Sequence, residues 1–202
     1  MADDPAARSP GEDPGGMDQG AARLYRACRS YRGCLQGVPL ALWWMGFHLV
    51  LWDTGERTTA TLSMRWEWLD LTTGRLRVPA KSRKRGLKPA LYQLTEPTLI
   101  VLRAFAKPKG PVFPCGKSQS SFYHRYERLL KKAGLPCDRS CKPQKMRRSF
   151  ASWIAALGGD ASAALMHDSP ETTRKAYIDP LIAARPPENR VLFRLDDGSQ
   201  DV

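Results

Sequence analysis

The sequence has no apolar run long enough to cross a membrane. Its most apolar stretch, VPLALWWMGFHLVLW at 38–52, is shorter than the roughly 18 to 20 residues that a spanning helix needs. It also lacks a signal peptide, because the opening MADDPAARSPGEDPGG is acidic and rich in proline and glycine. We therefore expect a buried core helix at 38–52, a protein that stays in the cytoplasm, and no membrane partner.

Cysteine is scarce and irregularly spaced. The five cysteines are an odd number without a regular framework, and the spacing of Cys137 and Cys141 lacks the second ligand pair of a zinc site. We expect reduced thiols and no metal site.

Acidic residues are few compared with basic ones. The chain has 32 Lys and Arg against 20 Asp and Glu, and a net charge of +12. Many of the acids lie near the two ends, so residues 23–185 hold 29 basic and 11 acidic side chains. A folded region this basic usually faces nucleic acid or an anionic membrane. Since no membrane-spanning segment is present, the charge favours nucleic acid.

Composition divides the chain into one core and two tails. Residues 1–22 are poor in apolar side chains and rich in Pro, Gly, Asp and Ala, which predicts a disordered tail. Residues 23–37 are a basic segment, either a short helix or a linker remnant, whose role stays open. We expect a single domain at 38–185 and a C-terminal tail at 186–202.

The first half of the core predicts two helices and a small sheet. The apolar run from Leu40 to Trp52 predicts a helix buried on all sides that ends at Gly55, followed by a short helix through about Met64. Three runs, MRWEWLDL, RLRVPA and LKPALYQL, predict a three-stranded antiparallel sheet. A very basic loop, KSRKRG at 81–86, separates the second and third runs.

Helices dominate the second half, so the fold class is α+β and mainly helical. A helix is predicted over 96–106 with Thr95 as its N-cap. The segment at 118–134 has one apolar face and one basic face. The segments at 142–159 and 160–166 predict two further helices.

Four segments, in order, resemble the motifs of the tyrosine recombinase (phage integrase) catalytic domain. They are DTGERTTATLSMRWEWLDL, KSRKRG, KPQKMRRSFASWIAALGG and LMHDSPETTRKAYIDP. The match covers 54–180, about two thirds of the chain. The resemblance implies the catalytic-domain fold of that family, with its small antiparallel sheet.

The resemblance also implies roles for four basic residues. Arg57, just after the Thr-Gly turn, stands at the family's first catalytic arginine, and Arg147 at the second. The family carries a lysine in the hairpin between its second and third strands. Lys81 is the first choice for that lysine and Lys84 the second.

The remaining site residues lie near the nucleophile. Tyr177 matches the nucleophilic tyrosine and His167 the histidine of the Leu-Gly-His segment. The chain departs from the family at three positions. Gln144 stands where a histidine is usual, Ala60 where many members have glutamate, and Met166 where glycine usually precedes the histidine.

The chemistry of phosphodiester cleavage needs these residue types. Arginine forks donate paired bonds to phosphate oxygens and stay charged, so two of them form a clamp. Tyrosine, with a reference pKa of about 10, is a poor nucleophile until cations stabilise its phenolate. A lysine whose pKa is lowered by neighbouring cations can protonate the departing 5' oxygen.

Other basic side chains are expected to contact DNA backbone or a groove. They lie in the hairpin loop, on the basic face of 124–132 and close to the catalytic positions. The set is Arg83, Lys84, Arg85, Arg125, Arg128, Lys131, Lys132, Arg148, Arg174 and Lys175.

The resemblance implies site-specific DNA recombination or integration, in which strands are cut and rejoined through a 3' phosphotyrosine. The partners would be double-stranded DNA and further copies of the chain, as a dimer or tetramer, and no metal or nucleotide cofactor is implied. A type IB topoisomerase-like activity shares this chemistry. The other alternative is a catalytically weak or inactive DNA-binding remnant. Gln144 and the absence of the family's N-terminal core-binding domain, roughly 80 to 100 residues long, favour that remnant.

Overall fold

The computed structural model describes residues 16–82, 88–115 and 119–165, together with residues 171, 173, 174, 177 and 178. These residues form a mainly helical structure with two small antiparallel sheets. The helices are α1 (Gly16–Arg29), α2 (Leu40–Thr54), α3 (Thr58–Leu62), α4 (Glu96–Arg103), α5 (Gln119–Lys132), α6 (Pro143–Ala156) and α7 (Ala161–Leu165). The strands are β1 (Cys34–Leu35), β2 (Val38–Pro39), β3 (Leu69–Asp70), β4 (Arg75–Val78) and β5 (Ala90–Gln93).

Helix α2 lies at the centre of the fold. Nearly all its side chains are apolar, so it can be covered on several sides, and it packs against α1, α4 and α6. It ends at Gly55, whose left-handed backbone (φ 59°) lets its N–H donate to Leu51 O at 2.9 Å. The predicted buried helix and its glycine C-cap are confirmed.

Within the described residues, no helix has the length and apolar character needed to span a bilayer.

An aromatic cluster joins α2 to α5. Trp43 stacks on Phe47 with ring centroids 5.3 Å apart, and Trp44 meets Tyr126 edge-on at 5.7 Å. Phe122 is 1% exposed and lies against the same rings. Aromatic pairs in such geometries add to the apolar area that they bury. The cluster therefore fixes the position of α2 and, through it, of the turn at its C-terminal end.

The predicted three-stranded sheet is confirmed, with strand order β3-β4-β5 and antiparallel pairing throughout. Its first strand is shorter than MRWEWLDL suggested. Trp66–Trp68 form a 3₁₀ turn, and the Trp66 N–H donates to Gly110 O at 2.9 Å. The backbone before Leu69 therefore pairs with the loop after α4 and leaves only two residues for the sheet.

Residues 16–22 were predicted to belong to a disordered tail, and that prediction is wrong for them. They form the first half of α1, which buries Leu24, Ala27 and Cys28 in the same core as α2. Together with the half-buried Tyr31, these residues follow the i, i+3, i+4, i+7 spacing of one helix face. The core thus begins before residue 38, where we expected the domain to start.

Helix α4 begins at Glu96 with Thr95 as its N-cap residue, as predicted, but differs from its prediction at the other end. It stops at Arg103 rather than 106, and the Thr95 side chain makes no capping bond to the helix backbone. The cap comes from α2, where the Asp53 carboxylate accepts the Thr95 N–H at 2.8 Å and the Thr98 hydroxyl at 2.6 Å. Burial raises the pKa of Asp53, although the threonine bonds oppose that rise. The distant acid ties α4 to the last turn of α2.

A second, smaller apolar cluster lies where α6 meets α7. Ala151, Ala161 and Leu165 are its buried members, and Phe150 and Tyr177 pack against it. This cluster brings the chain near residue 177 against α6.

A buried histidine links α2 and α5. The Nδ1–H of His48 donates to Trp44 O at 2.7 Å, and the Tyr126 hydroxyl lies 3.4 Å from Nε2. His48 is 6% exposed, and its burial lowers its pKa from 6.5 to about 4. The ring is therefore neutral in the folded protein at neutral pH.

We predict that His48 makes the protein acid-sensitive. The unfolded chain binds a proton near pH 6.5 and the folded chain only near pH 4, so stability falls as the pH drops through that window. A shift of that size corresponds to about 3 kcal/mol of unfolding free energy. The measurement is urea unfolding at several pH values. His48→Phe, which keeps an aromatic ring, should lose less stability than the parent on acidification. Equal losses would contradict the prediction.

Candidate active site

Arg147 is an almost completely buried charged side chain of the candidate site. It lies in the second turn of α6 and is 1% exposed. Its Nη1 donates to Gly55 O, and its Nη2 donates to Leu165 O at 3.0 Å. A buried charge is tolerated only when such partners replace water. The guanidinium therefore fastens α6 to the end of α2 and the end of α7.

Position 55 requires a glycine for two reasons: α6 packs close against it, and its backbone is left-handed. A Cβ built on Gly55 would lie 2.4 Å from Cδ1 of Phe150 on α6, and its φ of 59° disfavours other residues. The absence of a side chain allows α6 to approach the end of α2. Because of this approach, Arg147 reaches the Gly55 carbonyl.

Arg57 follows two residues after Gly55 and is half-buried. It is the N-cap residue of α3, and its carbonyl accepts the Thr61 N–H at 2.9 Å. Its backbone N–H donates to Oε2 of Glu56 at 3.1 Å. The turn between α2 and α3 thus sets an arginine beside Arg147.

Glu56 supplies negative charge to the same place. It is 1% exposed, and its Oε1 accepts the Tyr92 hydroxyl from β5 at 2.8 Å. Burial lowers the pKa of Arg147, the charge of Arg57 lowers it further, and Glu56 and Tyr177 oppose both effects. Since an arginine stays protonated at any working pH, these four groups form a permanently cationic pocket with one buried counter-charge.

Tyr177 lies against Arg147. Its ring centroid is 5.7 Å from Cζ of Arg147, within the range of a cation–π contact, and the two side chains also share a hydrogen bond. Its backbone N–H donates to Thr173 O at 2.9 Å, and its carbonyl accepts the Ser152 hydroxyl at 3.2 Å. The tyrosine is thus attached to α6 of its own chain through both backbone and side chain.

A family model described as the phage integrase family matches residues 19–182. This chain belongs to the phage integrase family. The family that the sequence resembles is therefore confirmed. The match also includes most of α1, from residue 19 onward. No curated protein matches the sequence significantly.

Two solved structures resemble this integrase-family chain. The crystal structure of XerA recombinase aligns with a TM-score of 0.62 and 20% identity, and covers 82% of this chain. The catalytic domain of bacteriophage HP1 integrase aligns with a TM-score of 0.59 and 17% identity, over 87% of this chain and 96% of that domain. Only 60% of the XerA recombinase chain is covered. The predicted fold of a tyrosine recombinase catalytic domain is confirmed.

Two further expected integrase residues are placed by the structure, and a third is not described. Lys81 is exposed in a 3₁₀ turn, Ala80–Ser82, that follows β4. Among the described residues, no hydrogen bond or ion pair joins it to Arg57, Arg147 or Tyr177. Gln144 is exposed, one turn before Arg147 on α6. His167 lies outside the described residues.

The basic residues expected to contact DNA lie on different elements. Arg128, Lys131 and Lys132 are exposed on α5, where Arg125 is half-buried. Arg148 is exposed on α6 next to Arg147, and Arg174 is exposed three residues before Tyr177. The other four, Arg83, Lys84, Arg85 and Lys175, lie outside the described residues.

Sequence reasoning missed Glu56 and Ser152. Glu56 follows directly after the glycine at the end of α2 but is buried, and its carboxylate accepts the Tyr92 hydroxyl. Ser152 is fully buried, and its hydroxyl lies 3.0 Å from Arg148 O as well as near the Tyr177 carbonyl. The available sequence signal for Ser152 was a polar residue between the apolar positions Ala151 and Trp153, because a buried hydroxyl needs a partner.

Within the described ranges, no three His, Cys, Asp or Glu side chains are placed to hold a metal ion.

We predict that Gly55→Ala strongly destabilises the protein. The new Cβ would meet Phe150, and left-handed backbone alone costs about 1 to 2 kcal/mol for a residue with a Cβ. Crowding should add roughly 1 to 3 kcal/mol. Gly158→Ala is the matched control, because Gly158 also has a positive φ (77°) but nothing within 4 Å of an added Cβ. Chemical denaturation measures both variants. Equal losses of unfolding free energy would show that contact with Phe150 does not matter.

Proposed function

We propose that this chain cuts and rejoins DNA through a covalent 3' phosphotyrosine at Tyr177. The observation that carries the proposal is the contact between Arg147 and Tyr177, in which a buried guanidinium lies 5.7 Å from the ring and hydrogen-bonds to the side chain. A phenol placed against a fixed cation is a better nucleophile than one in water, since the cation stabilises the phenolate.

The bond changes follow from the chemistry of a phosphodiester. The Tyr177 oxygen bonds to phosphorus as the phenol loses its proton, and the bond from phosphorus to the 5' oxygen breaks. The departing 5' oxygen takes up a proton. The reverse attack by a 5' hydroxyl restores the DNA strand and frees Tyr177. The bond energy is retained in the phosphotyrosine, so no nucleotide is needed.

Arg57 and Arg147 would hold the phosphate during this step. Charge develops on the non-bridging oxygens, and preorganised donors in a site with little water stabilise it. The carbonyls of Gly55 and Leu165 fix the Arg147 guanidinium before DNA arrives. Arg57 lies near enough to lower the pKa of Arg147 and could donate from the exposed side.

The proton for the 5' oxygen would come from the hairpin. Lys81, or Lys84 in its place, is the proposed general acid. Lys81 is exposed in its turn, so in this role its side chain would reach the phosphate of bound DNA from the solvent side. His167 would donate a hydrogen bond to the phosphate or relay a proton, and Gln144 would donate a hydrogen bond only.

In substrate class, we propose site-specific recombination or integration of double-stranded DNA. The family supports this class, and so does the basic composition of residues 23–185. The exposed cations of α5 and those near Tyr177, Arg148 and Arg174, would contact the DNA backbone. Further copies of the chain, as a dimer or tetramer on DNA, would bring two strands together for exchange.

The direct test is trapping of the covalent complex. The parent, incubated with a nicked suicide DNA substrate, should give a protein–DNA adduct that survives a denaturing gel. Tyr177→Phe should give none, because the phenol oxygen is gone. Tyr123→Phe, on α5, is the matched control and should form the adduct. A parent that binds DNA but forms no adduct would contradict the enzyme proposal and leave the DNA-binding remnant.

Gln144 supports the alternative of a catalytically weak DNA-binding remnant, because an amide cannot exchange a proton at neutral pH. If Gln144 limits the reaction, Gln144→His should accelerate adduct formation by up to roughly 100-fold. Its exposure on the first turn of α6 should let the protein tolerate the change. Single-turnover rates on the suicide substrate measure the effect. An unchanged rate would show that position 144 does not limit catalysis.

A further inference from the structure

Helix α1 carries a row of arginines on its exposed face. Arg23, Arg26 and Arg29 are all exposed, while Leu24, Ala27 and Cys28 face the core. At the 1.5 Å rise of a helix, successive arginines of the row lie about 4.5 Å apart along the axis. Helical geometry therefore gathers the three charges on one side of α1, which we name the α1 arginine surface.

Among the described residues, no ion pair joins a carboxylate to the α1 arginine surface. The sequence has no Asp or Glu between Gln19 and Trp52. The ion pairs Arg65–Glu67 and Arg103–Glu96 do not involve α1. Like charges this close repel one another, so a row of three exposed arginines is stabilised when an external polyanion binds it.

The α1 arginine surface continues into the basic face of α5. Nη1 of Arg23 donates to Gly134 O at 3.3 Å, and Gly134 N–H in turn donates to Lys131 O at 3.1 Å. The start of α1 thus lies beside the end of α5, where Lys131 and Lys132 are exposed. These residues make one basic surface from two neighbouring helices.

The same surface leads toward the candidate active site. At the other end of α5, Nζ of Lys142 lies 6.0 Å from the ring centroid of Tyr123. Lys142 is the N-cap residue of α6, five residues before Arg147. A backbone that follows α1 and α5 would therefore arrive at the helix that carries the catalytic arginine.

We propose that Arg26 and Arg29, with Arg23 at the junction with α5, bind phosphates of duplex DNA. DNA presents one negative charge per roughly 1.7 Å of its axis. A row of arginines can contact several such charges at once, whereas an isolated anion offers only one. The surface adds contacts beyond the cleavage pocket and anchors the flanking duplex. It rests on the proposed function, because both use the same DNA.

The test is the salt dependence of DNA binding. The variant Arg26→Gln with Arg29→Gln leaves Arg23 and its bond to Gly134 intact. Each lost phosphate contact lowers the slope of log K against log salt by about 0.9, so the slope should fall by nearly 2. Affinity near 0.15 M salt should then fall on the order of 30-fold. Fluorescence anisotropy of a labelled duplex with the full chain measures both quantities.

Two controls make the result specific. Arg75→Gln with Lys109→Gln removes two exposed charges from other elements and should change the slope by less. Arg26→Lys with Arg29→Lys keeps the charge and should keep most of the slope. Arg26 and Arg29 also lie in the last turn of α1, where cations stabilise the helix dipole. If the glutamine variant unfolds at a lower temperature but keeps the salt dependence of DNA binding, these arginines only stabilise the helix, and the proposal is wrong.

The outcomes separate this proposal from the proposed function. If the parent binds DNA and forms the Tyr177 adduct while the slope of the Arg26 and Arg29 glutamine variant is unchanged, only the α1 proposal is wrong. Absence of DNA binding by the parent at low salt would overturn both. Binding to phosphatidylserine vesicles that needs Arg26 and Arg29, without a change in DNA slope, would make the surface a lipid contact and overturn the proposal.

Discussion

The buried guanidinium of Arg147 is the interaction on which the candidate site depends. Its bonds to Gly55 O and Leu165 O join the end of α2, the interior of α6 and the end of α7. Arginine suits this position because its planar group can serve two carbonyls and an aromatic ring at once, which a lysine cannot. Removal of either carbonyl from its place would leave a buried charge poorly solvated. The geometry of the site is thus coupled to the packing of three helices.

The aromatic core and the site are connected through one helix. The rings of α2 and α5 fix α2 at its middle, and α2 then determines where Gly55, Glu56 and Arg57 lie. The turn between α2 and α3 places a cation and a carboxylate next to Arg147 without a long loop. Because Tyr177 packs on α6 through Ser152 and Arg147, its position also depends on this core. The stability of the core and the geometry of the candidate site therefore depend on the same contacts.

Much of the fold could be predicted from local patterns. The apolar run that became α2, the glycine at its end and the three-stranded sheet follow from periodicity and turn chemistry. The sequence resemblance assigned Arg57, Arg147 and Tyr177, and these are the residues that the structure brings together.

Contacts between distant segments could not be predicted from local patterns. Asp53 caps α4 from another helix, and the Trp66 N–H donates to Gly110 O in the loop after α4. Only the folded backbone brings these groups together.

The central claim is that one chain brings Arg57, Arg147 and Tyr177 into a single reactive site. A mixture of Arg57→Gln and Tyr177→Phe chains tests it on the suicide substrate. Each chain then lacks one part, and neither can complete its own site. The account predicts that the parent forms the covalent adduct and the mixture forms none. An adduct in the mixture would show that the tyrosine attacks a phosphate held by another copy, and would contradict the account.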